Sequence, residues 1–268
     1  MAEKLLQTRY SLALRLRSVY LVARGATPFD IGWSLLLYYL ALVLVTDCFL
    51  WYSSGSLAGY QWKTLVVYSL LSYPLWMLIG LKGIGRQQSD LMEQAKWHAV
   101  DLLPGGPTAI FLGHHVGKVL KTKALYVWAI AFLSLAIYHQ NGPLEIGLAV
   151  GNIVIGSINL VLGGIIFRFY SPKGYSGLVG SIFHNTTWIL SGAVFPLGML
   201  STSPWFYLLN PFSAAVSTPL NLLQEERFPG ALSKLDLQLY TFAGCILWMF
   251  LFGAIAMYAE RSRREKCY

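Results

Sequence analysis

The feature that most constrains this chain is a series of apolar runs, most of them about as long as a bilayer is thick. A helix needs about 20 apolar residues to cross the hydrocarbon core of a membrane. The sequence predicts six spans, the third of them short, at residues 31–51, 62–81, 124–139, 144–167, 178–197 and 237–258. Only 12% of the 268 residues are charged, whereas soluble domains carry roughly a quarter. We therefore expect an all-α integral membrane protein with six transmembrane helices.

The first apolar run is expected to be a retained span and not a cleavable signal. It is about twice as long as the apolar part of a secretory signal, and no small-x-small cleavage site follows it. Residues 31–81 are therefore assigned to spans one and two, and residues 124–167 to spans three and four.

A seventh apolar stretch, residues 205–223, lies between the fifth and sixth spans. Pro204 precedes it, and Pro211 and Pro219 interrupt it, so a continuous helix across the membrane is disfavoured. Non-helical backbone at membrane depth is stable only where protein or water satisfies its polar groups. The sequence predicts a re-entrant or interfacial helical hairpin here, so that residues 178–258 comprise span five, an external hairpin and span six.

The basic residues are distributed very unevenly between the two sides of this layout. With the N-terminus inside, 17 of the 20 Lys and Arg residues lie in the inner segments 1–30, 82–123, 168–177 and 259–268. Cytoplasmic loops of membrane proteins carry such an excess. We therefore expect both termini to lie in the cytoplasm. The membrane is expected to be the plasma (inner) membrane. The net charge of +8 then reports topology and does not indicate nucleic-acid binding.

The N-terminal 30 residues have the pattern of an amphipathic helix lying on the inner leaflet. Apolar residues recur at helical steps, with arginines elsewhere on the wheel. The apolar positions are Leu5, Leu12, Leu16, Val19 and Ala23. A merely polar tail is the alternative.

The inner loop 82–123 is long enough to dock a cytoplasmic partner. Its segment 86–103 is predicted to be helical, ending at the Pro104-Gly105-Gly106-Pro107 run. One face of that helix carries three acids around a tryptophan, namely Asp90, Glu93, Trp97 and Asp101. This face is either a docking surface or a solvated one.

Two spans carry stripes of small and polar residues at helical spacing. The fourth contains Asn152, Gly156, Asn159 and Gly163. The fifth contains a similar series, Gly180, His184, Thr187 and Ser191. Small residues allow helices to approach closely and amides bond between helices, so these stripes indicate either helix packing or the lining of a path. An intramembrane histidine is a functional candidate as well as a packing residue.

No catalytic or metal-binding set can be assembled from the sequence. The run Gly113-His114-His115-Val116-Gly117-Lys118 is one residue short of a phosphate-binding loop and lacks its Ser or Thr. Glu225 and Glu226 resemble the Glu pair of some intramembrane proteases, but the arginine expected downstream is missing. We expect this chain to have no catalytic residue, no metal site and no bound cofactor.

One stretch resembles the signature of ABC-2 type transporter permeases. It runs from Ser191-Gly192 through Phe195-Pro196 to Leu200, and continues with Pro204-Trp205 and Asn210-Pro211. In that family the signature ends the fifth span and enters an external hairpin before the sixth. The resemblance extends to the whole layout, with an N-terminal interface helix and a coupling helix after the second span, so that residues 1–268 form a single transmembrane domain ending in the basic tail 259–268.

The resemblance implies a non-catalytic subunit of an exporter. Two permeases, identical or different, would form the path and pair with two cytoplasmic P-loop ATPases, which bind the ATP and magnesium. The helix 86–103 would couple to those ATPases, and the outer gate would comprise Ser191, Phe195, Pro196, Met199, Trp205 and Phe206.

Two features make the chain more similar to an uncharacterised ABC-2 branch than to the polysaccharide exporters of the family. The loop 101–118 is similar to an uncharacterised ABC-2 branch, and Asp30-Ile31-Gly32-Trp33 departs from the start of the first span in polysaccharide exporters. Two other classes of function also stay open, a membrane-embedded enzyme acting on lipid or lipid-linked substrates and a membrane scaffold that transports nothing.

Overall fold

The computed structural model describes residues 2–26, 41, 62–79, 106–170, 176–194, 196–197, 203–223 and 233–267. All regular secondary structure in these residues is helical. The α-helices are α1 (Ala2–Gly25), α2 (Trp62–Ile79), α3 (Gly106–Lys121), α4 (Lys123–Tyr138), α5 (Pro143–Tyr170), α6 (Ser176–Leu190), α7 (Pro204–Leu209), α8 (Ser217–Leu220) and α9 (Lys234–Cys267). Two 3₁₀ turns, Ser213–Ala215 and Asn221–Leu223, flank α8.

Two of these helices are long and apolar enough to cross a membrane, and they correspond to the fourth and sixth predicted spans. They are Pro143–Phe167 within α5 and Lys234–Ser262 within α9. A third is added if α3 and α4, which meet at a bend of 66°, form one broken span. The described part of the chain thus has the architecture of a helical membrane protein with two or three candidate spans.

The other predicted spans are only partly covered. Helix α2 lies within residues 62–81 but is apolar over a shorter stretch, Val67–Ile79. Helix α6, which corresponds to the fifth predicted span, is 15 residues long. The first predicted span, residues 31–51, lies outside the described residues apart from position 41. The count of six therefore stays a prediction.

The loop after the second span contains a helix that the sequence analysis did not predict. Residues 106–121, which we had assigned to an inner loop, form α3, and a single extended residue, Thr122, separates α3 from α4. Helix α3 begins at Gly106, whose φ of 73° favours glycine. Gly106 therefore marks the start of a helix, whereas the helix predicted over 86–103 lies outside the described residues.

Helix α1 packs against α3 along a glycine seam. A Cβ atom on Gly113 would lie 2.5 Å from the carbonyl oxygen of Val19. A Cβ on Gly117 would lie 2.3 Å from that of Ala23. The phosphate-loop-like run thus forms the close contact of two helices, as a small-xxx-small pair does. Helix α1 still exposes Leu16, Tyr20 and Leu21, which can face lipid.

Helices α5 and α9 pack against each other and enclose the broken segment 203–223 with α2. Buried side chains from α2, α4 and α5 and from the segment form one continuous cluster. Its most buried members include Leu75, Phe132, Leu160, Leu220 and Leu222.

A buried carboxylate connects α9 with α1 and α3. Glu260, 2% exposed, accepts a hydrogen bond from the Arg15 guanidinium, at 3.3 Å between Nη2 and Oε1. Its Oε2 atom lies 3.4 Å from the backbone nitrogen of Thr108, in the first turn of α3. The Arg15–Glu260 ion pair therefore adds to the packing that holds α1 and α3 against the C-terminal part of α9.

Candidate functional site

The region that combines irregular backbone, buried polar groups and the family-like motif is the segment from the end of α6 to Leu223. Helix α6 ends at Leu190, and Gly192 adopts a φ of 77° in the turn that follows. A side chain on Gly192 would also meet Ser217, since the added Cβ would lie 2.5 Å from the serine Cβ. The Ser191-Gly192 pair therefore lets the chain turn sharply in a fully buried position.

Helix α2 holds this turn from the opposite side. The Tyr68 hydroxyl donates to the carbonyl oxygen of Gly192. The Ser72 hydroxyl donates to the carbonyl oxygen of Ala193 at 3.0 Å. Two carbonyl groups that the end of α6 leaves without helical partners are thereby satisfied.

The segment 203–223 consists of short helices joined by turns, and every residue from 210 to 223 is buried. Three hydrogen bonds connect it to the end of α6 and the chain that follows. The Asn210 side-chain amide donates to the carbonyl oxygen of Leu190 at 2.7 Å, and the Ser217 backbone N–H donates to that of Ser191 at 2.9 Å. The Ser217 hydroxyl accepts from the backbone N–H of Leu197 at 3.1 Å. Prolines here interrupt the helix, and these side chains replace the bonds that are lost.

The stripe on α5 faces this segment. A Cβ on Gly156 would lie 2.4 Å from the backbone nitrogen of Ala215, so the glycine lets the turn Ser213–Ala215 lie directly against the helix. The Asn159 amide donates to the carbonyl oxygens of Pro211, at 3.3 Å, and Cys245, at 3.1 Å. One helix therefore bonds at the same level to the segment and to α9.

A second amide, Asn152, links the same three elements about two helical turns away. Asn152 donates to the side-chain oxygen of Gln238 at 2.7 Å, and Gln238 donates through its own amide to the carbonyl oxygen of Thr218. The Thr218 hydroxyl lies 3.3 Å from that of Thr241. This polar network is buried among α5, α8 and α9.

The remaining stripe residues lie where α5 and α6 meet. Gly163 faces Phe183, whose ring would lie 3.1 Å from an added Cβ. His184 is half-buried with its ring 5.8 Å from that of Trp76. The buried Thr187 hydroxyl donates to the backbone oxygen of Phe183 at 2.8 Å, within its own helix. The described contacts of these residues join α6 to α2 and α5.

The predicted outer-gate residues differ in their exposure where the structure describes them. Ser191 and Pro196 are buried, and Phe206 is half-buried, edge-to-face with Tyr207 at 5.8 Å between ring centroids. Trp205 is 66% exposed. Phe195 and Met199 lie outside the described residues, so the outer gate stays a prediction.

The predicted coupling face, Asp90, Glu93, Trp97 and Asp101, also lies outside the described residues. Over the part of the chain that the structure describes, no group of three or more His, Cys, Asp or Glu side chains could hold a metal ion. The region is thus a packing and hydrogen-bonding site. Its described side chains suit the positioning of helices.

Sequence reasoning missed several residues of this region. Gln238 lies at the start of a predicted span. A polar amide side chain within an apolar run was the sequence signal that could have identified it. Tyr68 and Ser72 carried no comparable signal, because a tyrosine and a serine in an apolar helix are common. Glu260 was assigned to the cytoplasmic tail with its basic neighbours, whereas its side chain is buried.

The chain matches no protein-family model, no curated protein and no solved structure. What the fold defines is a class, a helical membrane protein with a buried, broken segment between two apolar helices.

Proposed function

We propose that this chain is the permease subunit of an ATP-driven ABC exporter of the ABC-2 type. In this proposal it has six spans with both termini in the cytoplasm, it lies in the plasma (inner) membrane, and it forms the translocation path with a second permease. Separate P-loop ATPases supply the energy, so this chain performs no covalent chemistry.

The observation that carries the proposal is the broken segment 203–223, which is buried from residue 210 onward. Broken backbone inside an apolar helical protein is costly unless protein or a water-filled cavity satisfies it. Here α2, α5, α6 and α9 all contribute bonds or contacts to it. A re-entrant element that closes a path must be held in place in this way, so these buried bonds support the proposal.

The contacts of α1 and α3 support a route for coupling. In the proposal both helices lie at the cytoplasmic side, where ATPases would dock. The Arg15–Glu260 pair and the contact of Glu260 with Thr108 join them to α9. Helix α9 in turn bonds to the broken segment through Gln238. A displacement of α1 and α3 would therefore be transmitted to the segment through a continuous series of packed helices.

The test is purification of the full tagged chain from its own host in mild detergent, followed by identification of its partners and measurement of ATP hydrolysis. We expect a P-loop ATPase in stoichiometric amount and ATP hydrolysis by the complex. A matched variant with Asp90→Lys, Glu93→Lys and Asp101→Lys should lose the ATPase while inserting normally into the membrane. A folded chain that purifies without any ATPase contradicts the proposal, and favours an enzyme or a scaffold.

A further inference from the structure

An apolar groove lies in the angle between α3 and α4, and α5 forms its third wall. Its volume is about 470 Å³, within the range of about 300–1,000 Å³ typical of ligand sites. Leu112, Val116, Phe132, Ile153 and Val161 are among its lining residues. Lining residues at its rim, Leu120, Tyr126 and Val154, are more than half exposed, so the groove opens at the surface of the molecule.

Four polar side chains belong to the described lining of the groove: His115, which is 4% exposed, and three that donate to backbone. The Tyr126 hydroxyl donates to the carbonyl oxygen of Leu120 at 2.6 Å, and the Trp128 indole N–H donates to that of Leu71 at 2.8 Å. The Ser157 hydroxyl donates to the carbonyl oxygen of Ile153 at 2.6 Å. These bonds turn the polar atoms of the wall toward backbone. An occupant therefore gains from burying hydrocarbon and from little else.

One end of the groove is strongly basic. Leu120, Leu125 and Tyr126 line it at the α3–α4 break, where Lys121 and Lys123 are exposed on either side of Thr122. Lys121 also donates to the carbonyl oxygen of Ala26 at 2.7 Å, which fixes its ammonium group beside the break. Among the described residues, no carboxylate forms an ion pair with either lysine. The hydrocarbon groove thus ends beside two positive charges.

We propose that this groove binds an anionic phospholipid, with an acyl chain along α4 and α5 and the headgroup at Lys121 and Lys123. Hydrocarbon beside a paired cationic end is the chemistry of such a lipid and of neither a zwitterionic lipid nor a soluble ligand. In the topology of the proposed function the lipid belongs to the inner leaflet, which carries anionic lipid. Binding itself does not depend on transport and is tested separately from it.

The experiment uses the full chain in phosphatidylcholine vesicles that contain a minor fraction of phosphatidylglycerol with a photoreactive acyl chain. After irradiation, mass spectrometry locates the labelled peptides. We expect adducts concentrated in 112–133 and 150–161, above those on the exposed face of α9 around Leu247 and Phe250. Unlabelled phosphatidylglycerol should displace the probe about thirtyfold better than phosphatidylcholine, since each of the two lysines is worth about 1 kcal/mol toward an anionic lipid.

Different variants test the headgroup end of the site and its acyl-chain groove. Lys123→Gln should reduce groove labelling about threefold to fivefold, and it leaves the Lys121 bonds in place. Arg17→Gln, which removes an exposed charge from α1, should not change it. Val154→Trp should block the groove at its rim, and Leu247→Trp, on the exposed face of α9, should leave labelling unchanged.

Three outcomes overturn the proposal. Labelling spread evenly over all exposed apolar faces shows ordinary boundary lipid. Equal displacement by phosphatidylcholine, or equal effects of Lys123→Gln and Arg17→Gln, shows that no headgroup is selected. Unlabelled groove peptides, with Val154→Cys instead forming a disulfide between copies, show that a second copy covers the groove. A chain without any ATPase partner leaves the lipid result standing, which distinguishes the failure of this inference from that of the proposed function.

Discussion

At the scale of single residues, the glycines of α5 differ sharply in what surrounds them. An added Cβ on Gly156 would lie 2.4 Å from the backbone nitrogen of Ala215, whereas on Gly147 it would meet nothing within 4 Å. Gly156→Ala should therefore destabilise the protein by about 1–3 kcal/mol or more through overpacking against backbone. Gly147→Ala should be neutral, or stabilise by up to about 1 kcal/mol through helix propensity. Thermal unfolding of both variants in the same detergent measures the difference, and equal midpoints would contradict the close approach.

The Arg15–Glu260 pair gives a second residue-scale prediction, because its two partners are buried unequally. The Glu260 side chain is 2% exposed and that of Arg15 30%. Arg15→Gln removes the guanidinium 3.3 Å from a buried carboxylate, and breaking a fully buried pair costs about 3–5 kcal/mol. Because Arg15 reaches solvent, we expect a smaller loss.

Glu260→Gln should cost less than Arg15→Gln, since the glutamine still accepts from Thr108 and the arginine can be hydrated. A double-mutant cycle on unfolding free energies measures the coupling between the two positions. A coupling near zero, or the reverse order of the single variants, would show that the pair does not hold α1 to α9.

At the scale of elements, the broken segment 203–223 depends on a few side chains that bond across it. Ser217 connects the segment to the turn after α6 through its hydroxyl, and Asn210 does so through its amide. Ser217→Ala and Asn210→Ala should each remove about 1 kcal/mol of net hydrogen bonding, and more where a buried group is left unpaired. Because the loss is local, amide exchange should accelerate within 203–223 while the middle of α5 stays protected.

Hydrogen exchange followed by mass spectrometry distinguishes this local loosening from global destabilisation. Ser134→Ala is a matched control, because Ser134 is exposed on α4 and lies outside the segment. Equal acceleration in α5 and in the segment would show that the segment is part of a single cooperative core.

An element could be predicted from the sequence where a local pattern of residues determines it, and not where contacts between distant residues do. Helices α5 and α9 were predictable because long apolar runs have few alternatives. The breaks in the segment after α6 were predictable because several closely spaced prolines disfavour a continuous helix. Helix α3 was missed, since its glycines suggested a loop and only the packing of α1 against them reveals a helix–helix contact. The bonds from Tyr68 and Gln238 join elements far apart in sequence, which no local pattern records.

At the scale of the whole molecule, the large apolar side chains left at the surface indicate its surroundings. On α4, Val127, Ile130 and Ile137 are each at least 66% exposed, as are Leu247 and Phe250 on α9. Soluble monomers rarely expose contiguous apolar faces of this kind. These faces are suited to contact with lipid. Trp205, beside the broken segment, adds a further exposed aromatic side chain.

The final prediction concerns the orientation of the chain in the membrane. Cys48 and Cys267 are replaced by Ser, whereas Cys245 is buried and stays. Single cysteines are then introduced at Gln140, between α4 and α5, at Lys123, at the α3–α4 break, and at Ser262, near the end of α9. In the six-span topology a membrane-impermeant maleimide added to intact cells should label Gln140→Cys, because the turn is external.

The same reagent should label Lys123→Cys and Ser262→Cys only after the membrane is permeabilised, since both positions are cytoplasmic in that topology. Labelling after denaturation controls for the amount of each variant. Helix α4 covers 16 residues, or about 24 Å at 1.5 Å per residue, less than the hydrocarbon core of about 30 Å. Its two ends can therefore lie on opposite sides only if flanking residues or part of α3 also enter the membrane. Labelling of Gln140→Cys and Lys123→Cys from the same side would make α3 and α4 a re-entrant pair and reduce the number of spans.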